Sequence, residues 1–156
     1  MEKTTEEVIK QLNKIVEINN DRIEGYETAH EETTDGALKS LFTEMSSRSR
    51  GFRSELAAEV RALGGEPTEG TKNTGKLFRI WMDVKAALTD ADRKKIISSC
   101  ERGEDAALQA YDEVLKSDAA FSENQRSIIT RQRTALQGDH DRIKSMRDAF
   151  EDLKVK

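Results

Sequence analysis

Apolar residues recur at three- and four-residue intervals along most of this chain, the spacing of helices that bury one face. The first run predicts α1 over 4–32, with Val8, Leu12, Ile15, Val16, Ile23 and Tyr26 on one stripe. Thr4 or Thr5 is placed to cap it, with Glu6 and Glu7 in the favourable first turn. The second run predicts α2 over 36–63, with Leu38, Leu41, Phe42, Met45, Phe52, Leu56 and Leu63 facing inward. Gly64-Gly65 stops it and Pro67 follows. A shorter run, Leu77, Ile80, Trp81, Val84 and Leu88, predicts a small helix α3 within the connection 64–90. Two more long runs complete the pattern. In α4, over 91–117 with Asp90 as candidate cap, the stripe is Ile96, Ile97, Cys100, Ala107, Leu108, Tyr111, Val114 and Leu115. In α5, over 122–153, it is Ile128, Ile129, Ala135, Leu136, Ile143, Met146, Phe150 and Leu153. Ser122 followed by Gln125 reads as a capping box at its start.

The connections order these helices. Short links after α1 and α4 make two antiparallel hairpins, α1/α2 and α4/α5. The long 64–90 connection can traverse the bundle and set α2 parallel to α4. Trp81 on α3 reads as a lid over a core end, with an anchor for a partner protein as the sharper alternative.

Composition narrows the classes further. The chain has 156 residues, enough for one domain spanning 1–156. Charged residues make up 36% and aromatic residues 5%, which suits amphipathic helices and disfavours a β-sandwich. The net charge is −4 and the two signs are interleaved, so no basic stripe invites nucleic acid. No apolar run approaches the ~20 residues of a membrane span. The acidic N-terminus lacks the apolar centre of a signal peptide, and one cysteine cannot form an internal disulfide. The expected location is the cytoplasm. Long amphipathic helices also make a homodimer an expected possibility.

The two hairpins repeat. Adding 85 to α1 positions carries Leu12 to Ile97, Ile15 to Cys100, Asn19 to Glu104, Ile23 to Leu108 and Tyr26 to Tyr111. Adding 87 to α2 positions carries Leu41 and Phe42 to Ile128 and Ile129, Leu56 to Ile143 and Leu63 to Phe150. Constant offsets and paired tyrosines point to a duplication.

Several segments carry a resemblance. They are Glu24-Gly25-Tyr26, Leu63-Gly64-Gly65-Glu66-Pro67, the run Trp81 to Leu88, the run Cys100 to Ala106, and His140-Asp141-Arg142. Together they resemble the bacterial ferritin-like four-helix-bundle family called domain of unknown function 2383. The resemblance implies an all-α ferritin-like bundle with one long crossover, and it implies no established activity.

Ferritin-like di-iron centres take one Glu from each of two helices and a Glu-x-x-His from each of the other two. Through the repeat, the single-Glu slots fall at Asn19 and Glu104. The paired slots fall at Ser49 with Phe52 and at Leu136 with Asp139. A one-residue shift offers Gln137 with His140, but turns Gln137 off the stripe. Glu104 and Asp139 alone keep carboxylates, so ferroxidase chemistry is not expected. A buried acid pair needs a cation or a proton. The reading is a buried polar network of Asn19, Arg48, Glu104, Gln132 and Asp139, with Arg48 between the two acids.

Other candidates read as structural. His30 sits near the end of the α1 stripe, and Cys100 replaces an isoleucine of the repeat. Tyr26 and Tyr111 can hydrogen-bond into the polar layer, and the charge runs at 24–32 and 101–105 read as solvated faces. No catalytic residue and no cofactor is expected. The function read from these features is a non-enzymatic binding, scaffold or stress-related bundle without a complete di-iron site. The alternative is a metal-binding or oxidative protein that holds iron or another divalent metal through Glu101, Glu104, Asp139 and His140.

Overall fold

The computed structural model describes residues 2–71 and 75–155, with side chains to residue 149. Five helices follow in order: α1 Lys3–Glu32, α2 Gly36–Ala62, α3 Gly75–Thr89, α4 Arg93–Lys116 and α5 Glu123–Val155.

Helix ends follow local chemistry. Asp35 caps α2, its carboxylate accepting from Ala37 N at 2.9 Å and Leu38 N at 3.1 Å. The stop after α2 is the Gly64-Gly65 turn. Gly64 adopts φ 87°, a left-handed conformation that suits glycine, and Gly65 N donates to Val60 O. The Ser122 capping box closes at both ends: Ser122 N donates to Gln125 Oε1 at 2.9 Å, and Gln125 N to Ser122 Oγ at 3.0 Å. Two expected caps are corrected. The N-cap of α1 is Glu2, which leaves Thr4 and Thr5 inside the first turn. The N-cap of α4 is Asp92, which accepts from Lys95 N at 3.1 Å. Asp90 instead closes α3, its N–H donating to Ala86 O.

Side-chain pairs fix the topology. Asn20 meets Arg53 and Arg22 meets Ser49, so α1 and α2 are antiparallel. Tyr111 meets Gln132 and His140 meets Asp105, so α4 and α5 are antiparallel. Asn19 meets Tyr111 and Arg22 meets Glu104, which sets α1 antiparallel to α4. It follows that α2 and α4 run parallel, joined by the crossover that contains α3.

Two ion pairs between α2 and α5, Glu44 with Arg142 and Glu55 with Arg131, repeat the internal duplication. The offset of 87 turns Glu44 into Arg131 and Glu55 into Arg142, so each pair maps onto the other with its charges exchanged.

The core is in two parts. Leu12, Ile15, Ile18, Leu56, Val60, Val114, Ile129 and Leu136 belong to one apolar cluster. Tyr26, Leu41, Phe42, Met45, Ile97, Cys100 and Ile143 belong to the other. Between them every long helix contributes polar residues: Asn19 and Arg22, Ser49, Glu104, and Asp139. Phe52 departs from its expected place in the core and is half-buried against the first cluster, as is Leu63. Phe150 and Leu153 lie outside the described side chains. Among the described residues no helix is long and apolar enough to cross a membrane.

Candidate functional site

The polar layer is organised by Arg22, which is 1% exposed. Its Nε and Nη2 donate to the two carboxylate oxygens of Glu104, at 2.8 and 2.5 Å. Nη1 donates to Ser49 Oγ at 2.5 Å, and Nη2 also reaches Asp139 Oδ2 at 3.3 Å. Met45 Sδ lies 3.6 Å from Nη2. A planar fork with five donors suits this bidentate arrangement and cannot shed its charge.

The expected bridge by Arg48 is therefore corrected. Arg48 does meet Asp139, with Nε 2.9 Å from Oδ2, but it is 37% exposed and stands at the rim. The cation set against Glu104 is Arg22. The physical reason is register. Positions 8, 12, 15, 19, 22 and 26 alternate steps of four and three, so Arg22 takes an inward place midway along α1. Arg48 approaches from the edge of α2.

A second chain of bonds lies beside the first. Asn19 donates to Tyr111 Oη at 2.8 Å, and Tyr111 donates to Gln132 Oε1 at 2.7 Å. Gln132 Nε2 continues to Glu55 Oε1 at 2.9 Å. Asn19 and Gln132 thus join Tyr111 rather than the Arg22 fork.

Burial opposes charge throughout this layer. It pushes the Glu104 carboxyl above the ordinary carboxylate range, against the pull of Arg22. Burial also works against the Arg22 charge, yet Glu104, with Tyr26 and Asp139 adding to it, holds the guanidinium above its ordinary value. The fork makes two short bonds to one carboxylate and reaches a second, which fixes the positive charge at Arg22. Burial pushes the Cys100 thiol up, with Glu104 adding to the effect, which leaves it a small core group and no nucleophile. Burial likewise raises Tyr26 and Tyr111.

Tyr26 differs from its repeat partner. Its hydroxyl is buried without a hydrogen-bond partner among the described residues. The ring is held instead by packing: stacked on Phe42 at 5.7 Å, edge-on to Trp81 at 5.1 Å, with the Arg22 guanidinium 5.5 Å from its centroid. Trp81 is set into a notch between α1 and α4. A Cβ on Gly25 would lie 2.5 Å from the indole, and one on Gly103 would lie 3.5 Å from it. Both glycines belong to segments that carry the family resemblance, and the notch is the physical reason Gly25 has no side chain.

The remaining candidates are dispersed. Glu101 pairs with Arg147. His140 Nε2 lies 2.7 Å from Asp105 and Nδ1 lies 3.3 Å from Asp141, on the outside of the α4/α5 pair. Glu104 and Asp139 face Arg22. Glu101 and His140 thus have partners of their own, apart from the Arg22 that Glu104 and Asp139 share. Among the described residues no group of three or more His, Cys, Asp and Glu side chains converges as a metal ion requires. His30 is half-buried, and its backbone carbonyl accepts from Lys39 Nζ.

Four long helices with one crossover between parallel α2 and α4 define an all-α ferritin-like bundle. A point mutant of Dps1 from Mycobacterium smegmatis has the same fold, with a TM-score of 0.74 at 11% identity over 94% of this chain and 99% of that one. The model of the family described as Domain of unknown function (DUF2383) matches residues 7–117, and the chain belongs to that family. No curated protein matches.

Proposed function

We propose that this protein is a non-enzymatic ferritin-like bundle, a binding, scaffold or stress-related protein whose core carries an arginine ion pair in place of a di-iron centre. The observation that supports this reading is the Arg22 fork between Glu104 and Asp139. Those acids stand at two of the positions where the repeat puts iron ligands, and Ser49 stands at a third. A fixed guanidinium supplies the positive charge that the two acids need. The other slots speak the same way. Leu136 is apolar and buried, Phe52 is half-buried against the core, and Asn19 is engaged with Tyr111. This donor set does not fit a di-iron centre, which wants carboxylates and imidazoles around open positions.

The test is metal analysis of untagged protein after incubation with ferrous, manganous and zinc ions and dialysis, alongside a ferrous oxidation assay. Retention below one ion per chain and no acceleration of iron oxidation are expected. Stoichiometric metal lost on Glu104→Gln or Asp139→Asn substitution overturns the reading.

A further inference from the structure

The polar core says nothing of what the bundle meets, but the crossover helix does. Among the described residues the large apolar side chains left exposed are Phe78, at 59%, and Met82, at 46%. Both lie on α3, one helical turn apart. They line the same cleft of about 240 Å³, whose walls are α1 and α3. In a chain with 36% charged residues, two large apolar groups beside one cleft mark a surface that another body covers.

The edges of this face differ in sign. The α1 edge exposes Glu24 and Glu31, seven residues apart on one stripe. The α3 edge exposes Lys76 and Arg79. The one exposed acid of that stretch, Asp83, is paired with Arg102. The two helices run in the same direction: Gly25 lies against Trp81, and Glu32 pairs with Lys85 at 3.7 Å.

We propose that this face docks on a second copy of the chain. A two-fold axis laid along the cleft preserves height, so each α1 edge comes over the other copy's α3 edge. Gly25 stands level with Trp81, which puts Glu24 at the height of the second copy's Arg79. The apolar pairs Phe78 and Met82 meet at the axis and close both clefts. Parallel α1 and α3 with opposite charges make the face complementary to its own rotated image, and an unrelated partner would have no need of that pattern. The dimer is independent of the metal question, because none of these residues belongs to the Arg22 layer.

Sedimentation equilibrium of the full chain tests it. The unaltered protein is expected to be dimeric at high micromolar concentration, and F78E/M82E monomeric with unchanged helical circular dichroism. Glu24→Lys or Arg79→Glu alone should raise the dissociation constant by about tenfold or more, and E24K/R79E together should restore it. Trp81 is the chain's single tryptophan and borders the cleft, so its emission should shift on dilution through the same midpoint. A monomer at every concentration overturns the proposal and makes the face a site for a different partner. A dimer unaffected by F78E/M82E, or a charge swap that fails to restore binding, overturns it as well.

Discussion

The two hairpins of this bundle share one apolar spacing and hold opposite charges at its centre. The α1/α2 hairpin brings Arg22, Arg48 and Ser49 to the polar layer, and the α4/α5 hairpin brings Glu104 and Asp139. Position by position the exchange is plain. The repeat mate of Arg22 is Ala107, that of Glu104 is Asn19, and that of Asp139 is Phe52. A symmetric site would present like charges from both sides, which repel unless an ion intervenes. Dividing the signs between the halves makes the hairpins attract directly. The tyrosines show the same divergence. Tyr111 is bonded at its hydroxyl to Asn19 and Gln132, whereas Tyr26 is held by ring contacts.

The sharpest way to break this comparison is to remove the central cation. Arg22→Ala should cost about 3–5 kcal/mol in urea unfolding, because it strands buried Glu104 and leaves Asp139 with Arg48 alone. Arg48→Ala, which removes a rim charge, should cost less than about 1 kcal/mol. Equal losses would show that the two arginines share the work.

Next comes the apolar member of a divergent pair. Leu136 is fully buried, and its repeat mate Ser49 is a hydrogen-bond acceptor. Leu136→Ala should cost about 2–5 kcal/mol by chemical denaturation. Phe52→Ala, at a half-buried site, should fall below the ~3 kcal/mol at which full burial of a phenylalanine begins. The reverse order would mean that Phe52 is the better-packed residue.

The notch gives a smaller contrast between halves. Gly25→Ala drives a methyl into the Trp81 indole and should cost about 1–3 kcal/mol through overpacking, with altered near-ultraviolet circular dichroism. Gly103→Ala meets ordinary contact distances, and helix propensity favours it by up to ~1 kcal/mol, so it should be neutral or stabilising.

The smallest effect is a pH dependence confined to the second hairpin. A hydrogen bond from Arg133 holds the Asp112 carboxyl below the usual carboxylate range. Its stabilisation is therefore present above the unfolded-state value and fades as pH falls through the lower folded-state value. Both side chains are about a third exposed, so solvent screening limits the gain to about 0.2–1 kcal/mol. Asp112→Asn should flatten the acid limb of a stability–pH profile by that amount. An unchanged limb would remove this pair from the balance.

Much of the bundle is legible in spacing alone, and the reasons can be named. Leu12, Ile15, Phe42, Ile97, Ile129 and Ile143 sit at helical intervals and are buried accordingly. Gly64-Gly65 and Ser122 with Gln125 are local chemistry, and they end or begin helices where expected. Arg22 is harder to see. A stripe traced through apolar residues steps from Val16 to Ile23 and passes over it, because a charged residue in that place reads as solvent-facing. Strict alternation of four and three would have included it. That Arg22, not Arg48, meets Glu104 depends on the relative height of α1 and α4, a tertiary quantity that no single helix encodes. The Gly25 notch is of the same kind, since Trp81 is far from both glycines in sequence.

That notch also couples three parts of the chain. Its two walls come from α1 and α4, which belong to different hairpins and meet only after a long loop has closed. Trp81 has nowhere to lodge until those walls stand side by side. The seated indole accordingly ties the crossover to both hairpins at once, and neither hairpin alone could hold it there.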